Sequence, residues 1–289
     1  MEHLALGLVW LLGTVASVSP VAKQVRIVEK ALDMAPNSFD DQYKGCSDQM
    51  EAKLQELNRT EFESNSIYAE AWKKASAEFQ RHRLPSSVLK PLQAIALLAY
   101  TVESPPMRQK FNEDVGEAGC SREEYLLSFH FKVLHFLLTQ AIGALRHAQP
   151  RRCYNVYSVV QDIIFTAQPG EIVRFGKFAE SALNKEHTEG FGDGTIFSVK
   201  TCYGVPIRGG SEELSGEGVI IPPFETFEVV SVTRKGNTAH IELHSKDVYS
   251  KYNCEFVKAA PDCPSLASPG QSVTMLPLWG LVLAVTALA

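Results

Sequence analysis

The chain has 289 residues, of which 45% are hydrophobic, 9% aromatic and 21% charged. That is enough apolar material for one large or two small domains with a sizeable core, and it excludes a disordered, collagenous or low-complexity protein. A formal net charge of −5 leaves no basic footprint, so nucleic acid is not an expected partner.

The first segment is apolar from Leu4 to Leu12, then small and weakly polar from Gly13 to Pro20. This reads as a secretory signal peptide over residues 1–19, although Glu2 and His3 replace the usual basic residues at its start. Export makes the cysteines structural by default. Asn58-Arg59-Thr60 is an N-glycosylation sequon.

The N-terminal half reads helical. Thr60 with Glu63 matches a capping box, followed by a stripe of Tyr68, Trp72, Ala75 and Phe79 at spacings of four, three and four. The apolar run Leu92 to Tyr100 predicts a central helix. Ser121 with Glu124 opens another capping box, and the aromatic-rich stretch from Tyr125 to Leu145 predicts one continuous helix ending near Pro150. Such aromatic stripes are expected to be core.

Beyond Cys153 the period changes. Ile163 to Phe165, Thr195 to Cys202, Gly218 to Ile221, Phe224 to Val232 and Ala239 to Leu243 are short apolar runs between Gly, Pro and polar clusters, as strands are. A helical half followed by a strand-rich half predicts an α+β fold in a single domain, residues 20–265.

The last segment, Met275 to Ala289, is apolar to its final residue and follows a polar, small-residue stretch from Ser265 to Thr274. At 15 residues it is short for a bilayer span of about 20, and no basic residue follows it. This is the pattern of a glycosylphosphatidylinositol attachment signal, with Ser265 the expected attachment site and 266–289 removed. The protein is therefore expected on the extracellular face, held to the outer leaflet by lipid.

The six cysteines are Cys46, Cys120, Cys153, Cys202, Cys254 and Cys263. Their spacing does not fix a pairing and contains no CxxC, so zinc and redox chemistry are not indicated. His130 and His135, five apart, do not share a helix face, and no metal motif is present. The strand half has no nucleophile elbow, P-loop or dinucleotide fingerprint, and the glycines at 209, 210, 216 and 218 precede no helix and read as turns.

A set of ordered motifs carries more. Asn37-Ser38-Phe39-Asp40-Asp41-Gln42-Tyr43 before Gly45-Cys46, Ala96-Leu97-Leu98-Ala99-Tyr100-Thr101, Phe131-Lys132, Leu134-His135-Phe136, Val173-Arg174-Phe175-Gly176, Thr201-Cys202-Tyr203-Gly204, Ile220-Ile221-Pro222-Pro223-Phe224-Glu225 and Tyr252-Asn253-Cys254 together resemble the vertebrate ecto-ADP-ribosyltransferases. The resemblance spans roughly residues 30 to 260 and is to the arginine-specific branch. It implies an NAD(P)+–protein-arginine mono-ADP-ribosyltransferase, a glycosyltransferase that moves ADP-ribose from NAD to arginine side chains of acceptor proteins. It also implies disulfides Cys46–Cys254 and Cys153–Cys202, leaving Cys120 and Cys263 unassigned.

The family's catalytic pattern is an Arg, then a Ser, then Glu-x-Glu. Cleaving the nicotinamide–ribose bond builds positive charge on the sugar, so a carboxylate must be fixed beside it; the resemblance gives that task to the second Glu. In this chain the pattern is broken: Ser158 stands at the Arg position, Glu180 at the Ser position, and Gly216 and Gly218 at the two Glu positions. Glu217 between them should face away from the cleft unless a bulge at the flanking glycines shifts the register. Glu180 is the other carboxylate that could substitute. The resemblance further implies NAD contacts at Tyr100, Lys177, Phe191 and Ser211. The expectation is a transferase fold with activity weak or lost, the alternative being a catalytically silent cell-surface glycoprotein that keeps the fold for recognition or NAD binding.

Overall fold

The change of apolar period near Cys153 is the boundary between two layers in the computed structural model, which describes residues 27–82, 88–101, 105–149, 153–208 and 217–258. The expected signal peptide, Ser211, Gly216, Ser265 and the C-terminal tail lie outside the described residues. Before the boundary come a short strand, β1 (Val28–Ala31), and six helices: α1 (Ser47–Ser64), α2 (Ser66–His82), α3 (Pro91–Thr101), α4 (Pro105–Glu117), α5 (Arg122–Leu127) and α6 (Lys132–Ala148). After it come β2 (Tyr154–Gln161), β3 (Ile163–Thr166), β4 (Ile172–Val173), β5 (Ala179–Ala182), β6 (Gly194–Thr201), β7 (Val205–Arg208), β8 (Glu217–Ile221), β9 (Glu225–Lys235) and β10 (Thr238–Val248). The fold is α+β, as the composition of the two halves predicts. No helix among the described residues is long and apolar enough to cross a membrane.

The helix starts follow capping chemistry, with two departures from the sequence reading. Ser121 accepts the Glu124 amide at 3.0 Å and caps α5 as expected. Thr60 caps nothing: it lies inside α1, and its hydroxyl donates to the Glu56 carbonyl one turn back. The boundary falls at Asn65, whose Oδ1 accepts the Tyr68 amide at 3.0 Å to begin α2. The stretch from Tyr125 to Leu145 is also two helices, not one. The chain breaks between Leu127 and Lys132 so that Phe129 and Phe131 are both buried. Helix α6 then starts where Glu61 accepts the amides of Lys132 (2.6 Å) and Val133 (3.0 Å). A carboxylate from 71 residues away thus satisfies two of the orphan donors of this N-terminus. Burial pushes the Glu61 pKa up to about 7 despite these bonds.

The large sheet has the order β4-β9-β10-β6-β2-β5-β8-β7, and β1 pairs with β3 in a separate two-stranded sheet. Within the large sheet β10 runs parallel to β6 and the other pairings are antiparallel. The junction of β2 with β5 is narrow, with one registered pair, Tyr157 with Ala182. Two cores flank the strands. Phe178, Val205, Ile207 and Ile220 pack with the helices, whereas Val156, Phe197, Val199, Val219 and Ile221 form the second cluster with β9 and β10.

The motif Asp40-Asp41 is a clasp between the two ends of the domain. Asp40, fully buried, pairs with Arg174 at 2.6 Å and accepts the amides of Lys251 and Tyr252. Arg174 uses its remaining donors on the carbonyls of Met34, Ala35 and Tyr249, so the buried charge is both paired and hydrogen-bonded. Asp41 accepts the amides of Tyr43, Cys254 and Glu255. Beside the clasp, Cys46 and Cys254 form a disulfide, and Cys153 pairs with Cys202. Cys120 is a free, exposed thiol.

Candidate active site

Three neighbouring strands carry the positions singled out by the broken catalytic pattern: Ser158 on β2, Glu180 on β5 and Gly218 on β8. Residues paired across an antiparallel ladder share a face, and neighbours along a strand alternate. Glu180 pairs with Ile220 and Ala182 with Gly218. Glu180 and Gly218 therefore lie on the face of Ile220, which packs toward the helices. Ser158 pairs with Phe197 and shares the face of Val156, in the other core. The ladder through β8 runs without a register shift, Arg208 opposite Glu217 and Ile207 opposite Gly218. No bulge moves position 217 onto the face of position 218.

The only serine next to the expected catalytic-serine position is Ser181, which pairs with Val219 and is 2% exposed on the face away from Glu180. Among the described residues of β2, β5 and β8, Glu180 is the carboxylate on the helical face. It is met by Arg108 of α4, Nη1 to Oε2 at 2.6 Å, with the two side chains 12% and 13% exposed.

Tyr100 and Asn112 set the position of that carboxylate. The Tyr100 hydroxyl donates to the Phe178 carbonyl at 2.6 Å. Asn112 clamps the backbone of the same residue from α4, donating to the Phe178 carbonyl at 3.0 Å and accepting the Phe178 amide at 3.0 Å. Asn112 also donates to the Tyr100 hydroxyl at 3.1 Å. Tyr100 is completely buried, and burial raises its pKa so that it stays a donor. In this geometry Tyr100 aligns the start of β5, with Glu180 two residues on, instead of presenting a surface to a ligand.

Lys177 is exposed to solvent but walled by protein. Those surroundings, and next the Lys30 charge, lower its ammonium pKa against the opposing pull of Glu113. Phe191 is half-buried in the loop between the short 3₁₀ turn Lys185–Thr188 and β6. Sequence reading missed Arg108 and Asn112 because it missed α4. The signal was present: Met107, Phe111 and Val115 recur every four residues and are all buried. Farther along the sheet, Glu225 is a structural carboxylate. Fully buried, it accepts from Thr201 (2.5 Å), Ser245 (2.6 Å) and the Cys202 amide (2.8 Å), and so fixes the turn between β6 and β7. Burial raises its pKa. No cluster among the described residues could hold a metal ion.

This architecture has known counterparts. The sequence profile of NAD:arginine ADP-ribosyltransferase matches residues 32–251. The chain belongs to that family. It is 50% identical over 260 residues to the erythroblast NAD(P)(+)–arginine ADP-ribosyltransferase of Gallus gallus, covering 89% of this chain and 86% of that protein. It is 45% identical to the GPI-linked NAD(P)(+)–arginine ADP-ribosyltransferase 1 of Mus musculus, covering 80% of this chain and 74% of the relative. Among solved structures, a mutant of the eukaryotic mono-ADP-ribosyltransferase ART2.2 in complex with NADH superposes with a TM-score of 0.66 at 32% identity, covering 78% of this chain and 98% of that one.

Proposed function

We propose that this chain is a cell-surface member of the NAD(P)+–protein-arginine ADP-ribosyltransferase family whose transferase activity is weak or lost. The family fold supports NAD as the small-molecule partner, and GPI-linked relatives support lipid anchorage through Ser265 after removal of residues 1–19 and 266–289. Acceptors, where any chemistry remains, are proteins with exposed arginine.

The observation that carries the reading is the Arg108–Glu180 pair. NAD supplies an ADP-ribosyl group and a nicotinamide leaving group. The protein's part is to hold a carboxylate beside the sugar as positive charge develops. Position 218 has no side chain, and the carboxylate on the same face is neutralised by a guanidinium 2.6 Å away. The described residues suit binding better than bond cleavage: Lys177 offers a cation and Phe191 an aromatic surface, but among the described strand residues on this face no carboxylate stands ready for the sugar.

The test is incubation of the purified protein with labelled NAD and an arginine-rich acceptor, beside the mouse GPI-linked relative. Losing one preorganised charge-stabilising group reduces rate by about 10²- to 10³-fold, so labelling should be at least that far below the relative's. Labelling equal to the relative's refutes the reading. Release from cells by a phosphatidylinositol-specific phospholipase, lost on Ser265 substitution, tests the anchor.

A further inference from the structure

The helical layer carries a concavity at the opposite end of α3 from Tyr100. A cavity of about 600 Å3 is lined by Asn58 of α1, Trp72 of α2, Leu92 of α3 and Leu137 of α6, with Glu51 and Lys90 among its polar lining. Its size is that of a small-molecule pocket, and its make-up, apolar walls with a few polar groups, is that of a site for an amphipathic ligand. Leu92 is 44% exposed, so apolar surface lies open there.

Asn58 is the acceptor residue of the sequon Asn58-Arg59-Thr60. Its Oδ1 accepts the hydroxyl of Tyr68 at 2.5 Å, and Tyr68 is buried. Glycosylation joins Nδ2 to the anomeric carbon of a lipid-diphosphate-linked oligosaccharide. One amide proton is lost and the lipid diphosphate leaves. Oδ1 takes no part, so the Tyr68 bond survives the modification and holds the linkage at the cavity.

We propose that the first N-acetylglucosamine of an Asn58 glycan seats in this cavity and closes it. A pyranose has an apolar C–H face that packs on the Trp72 indole and Leu92, and hydroxyls that the Glu51–Lys90 pair, 2.5 Å apart, can bond. The occupant is covalently delivered, so its effective concentration at the cavity is high without any free ligand. The site is separate from β5 and β8 and does not depend on whether the chain transfers ADP-ribose. Thr60 bonds the Glu56 carbonyl within α1 at 3.1 Å, so attachment precedes helix formation and the helices pack around the sugar.

The test compares three forms of the full chain from secreting cells: the native glycoprotein, the same protein trimmed by an endoglycosidase to a single N-acetylglucosamine, and Thr60→Ala, which lacks the sequon but keeps Asn58 and its Tyr68 bond. Thermal midpoint and acrylamide quenching of Trp72 fluorescence are read, with Trp72→Phe giving that residue's share of emission. The trimmed form should match the native one. Thr60→Ala should melt about 2–4 °C lower with Trp72 more strongly quenched, against the better helix propensity of alanine. Should that variant not be secreted, complete amidase deglycosylation of the folded protein supplies the sugar-free form, with the Asn58→Asp change that the hydrolysis leaves behind. The proposal is overturned by mass spectrometry showing no glycan on Asn58, by a sugar-free form identical to the native in both readouts, or by a trimmed form that behaves like the sugar-free one. Binding of anilinonaphthalene sulfonate equally to native and sugar-free protein also overturns it, since the cavity would then be open to diffusible apolar molecules.

Discussion

The guanidinium of Arg108 and the carboxylate of Glu180 meet at 2.6 Å, one from α4 and one from β5, with both side chains largely withdrawn from solvent. Removing one partner of such a pair leaves a charge in a poorly hydrated place, which costs about 3–5 kcal/mol, whereas replacing both with apolar groups is close to neutral. Arg108→Met should therefore lower the urea midpoint strongly, and Arg108→Met with Glu180→Met should recover most of the loss. A double variant no more stable than the single one would mean that the pair does not act as a unit.

The same pair bears on restoring chemistry. Gly218 sits opposite Ala182, one diagonal step from Glu180, so Gly218→Glu alone would set two carboxylates close together on one face. It should be destabilising and yield no useful NAD cleavage. Combined with Glu180→Ser, Ser158→Arg and Gly216→Glu, nicotinamide release should rise by about 10²-fold or more over Gly218→Glu alone. A well-folded quadruple variant that releases no nicotinamide would count against the residue assignments at these four positions.

His135 predicts a pH dependence. It is completely buried, accepts the Tyr43 hydroxyl at Nδ1 (2.8 Å) and donates from Nε2 to the Phe39 carbonyl (3.1 Å). Burial lowers its pKa from 6.5 to about 3. Between those values the unfolded chain binds the proton and the folded one does not, so this contribution is complete above pH 6.5 and is lost as pH falls toward 3. Glu61 acts oppositely between 4.5 and about 7, where the folded state holds the extra proton and gains stability as pH falls. The two offset each other from pH 6.5 to 4.5, and His135 acts without that offset below 4.5. Denaturant titrations of the native chain and His135→Gln should show a stability difference that shrinks from pH 7 to pH 4. A difference constant with pH would remove His135 from the account.

The disulfides should contribute unequally. Cys46–Cys254 closes a separation of 208 residues and Cys153–Cys202 one of 49, for which chain-entropy reasoning gives about 5 and about 4 kcal/mol. Cys254→Ser should lower stability more than Cys202→Ser, measured by urea unfolding without reductant. The reverse order would show that local packing outweighs loop closure.

Much of this molecule is legible in sequence where the cause is local. Ser121 and Glu124 are three residues apart and their cap could be read directly, as could the apolar run of α3 and the alternation in β6, β9 and β10. The two disulfides came from ordered motifs and not from spacing. What could not be read depends on distant partners. Glu61 caps a helix 71 residues on, which is why the aromatic stretch after Ser128 breaks. Thr60 looked like a cap because Glu63 follows it, yet tertiary packing carries α1 straight through. Asp40 and Arg174, 134 residues apart, are signature residues whose task is to hold the fold. Glu180 was legible as a misplaced carboxylate, but its charge partner lay on an unread helix, 72 residues away.

The clasp at Asp40 and Asp41 also sets how the domain bears load. Ser250, Lys251, Tyr252, Cys254 and Glu255 are bonded to Asp40 or Asp41, and Cys254 is covalently joined to Cys46. A pull applied from the C-terminal side reaches the Cys46 cross-link and α1 before it reaches β10. Tension at the proposed lipid anchor would pass into the helical layer along covalent bonds before it reached β2, β5 and β8.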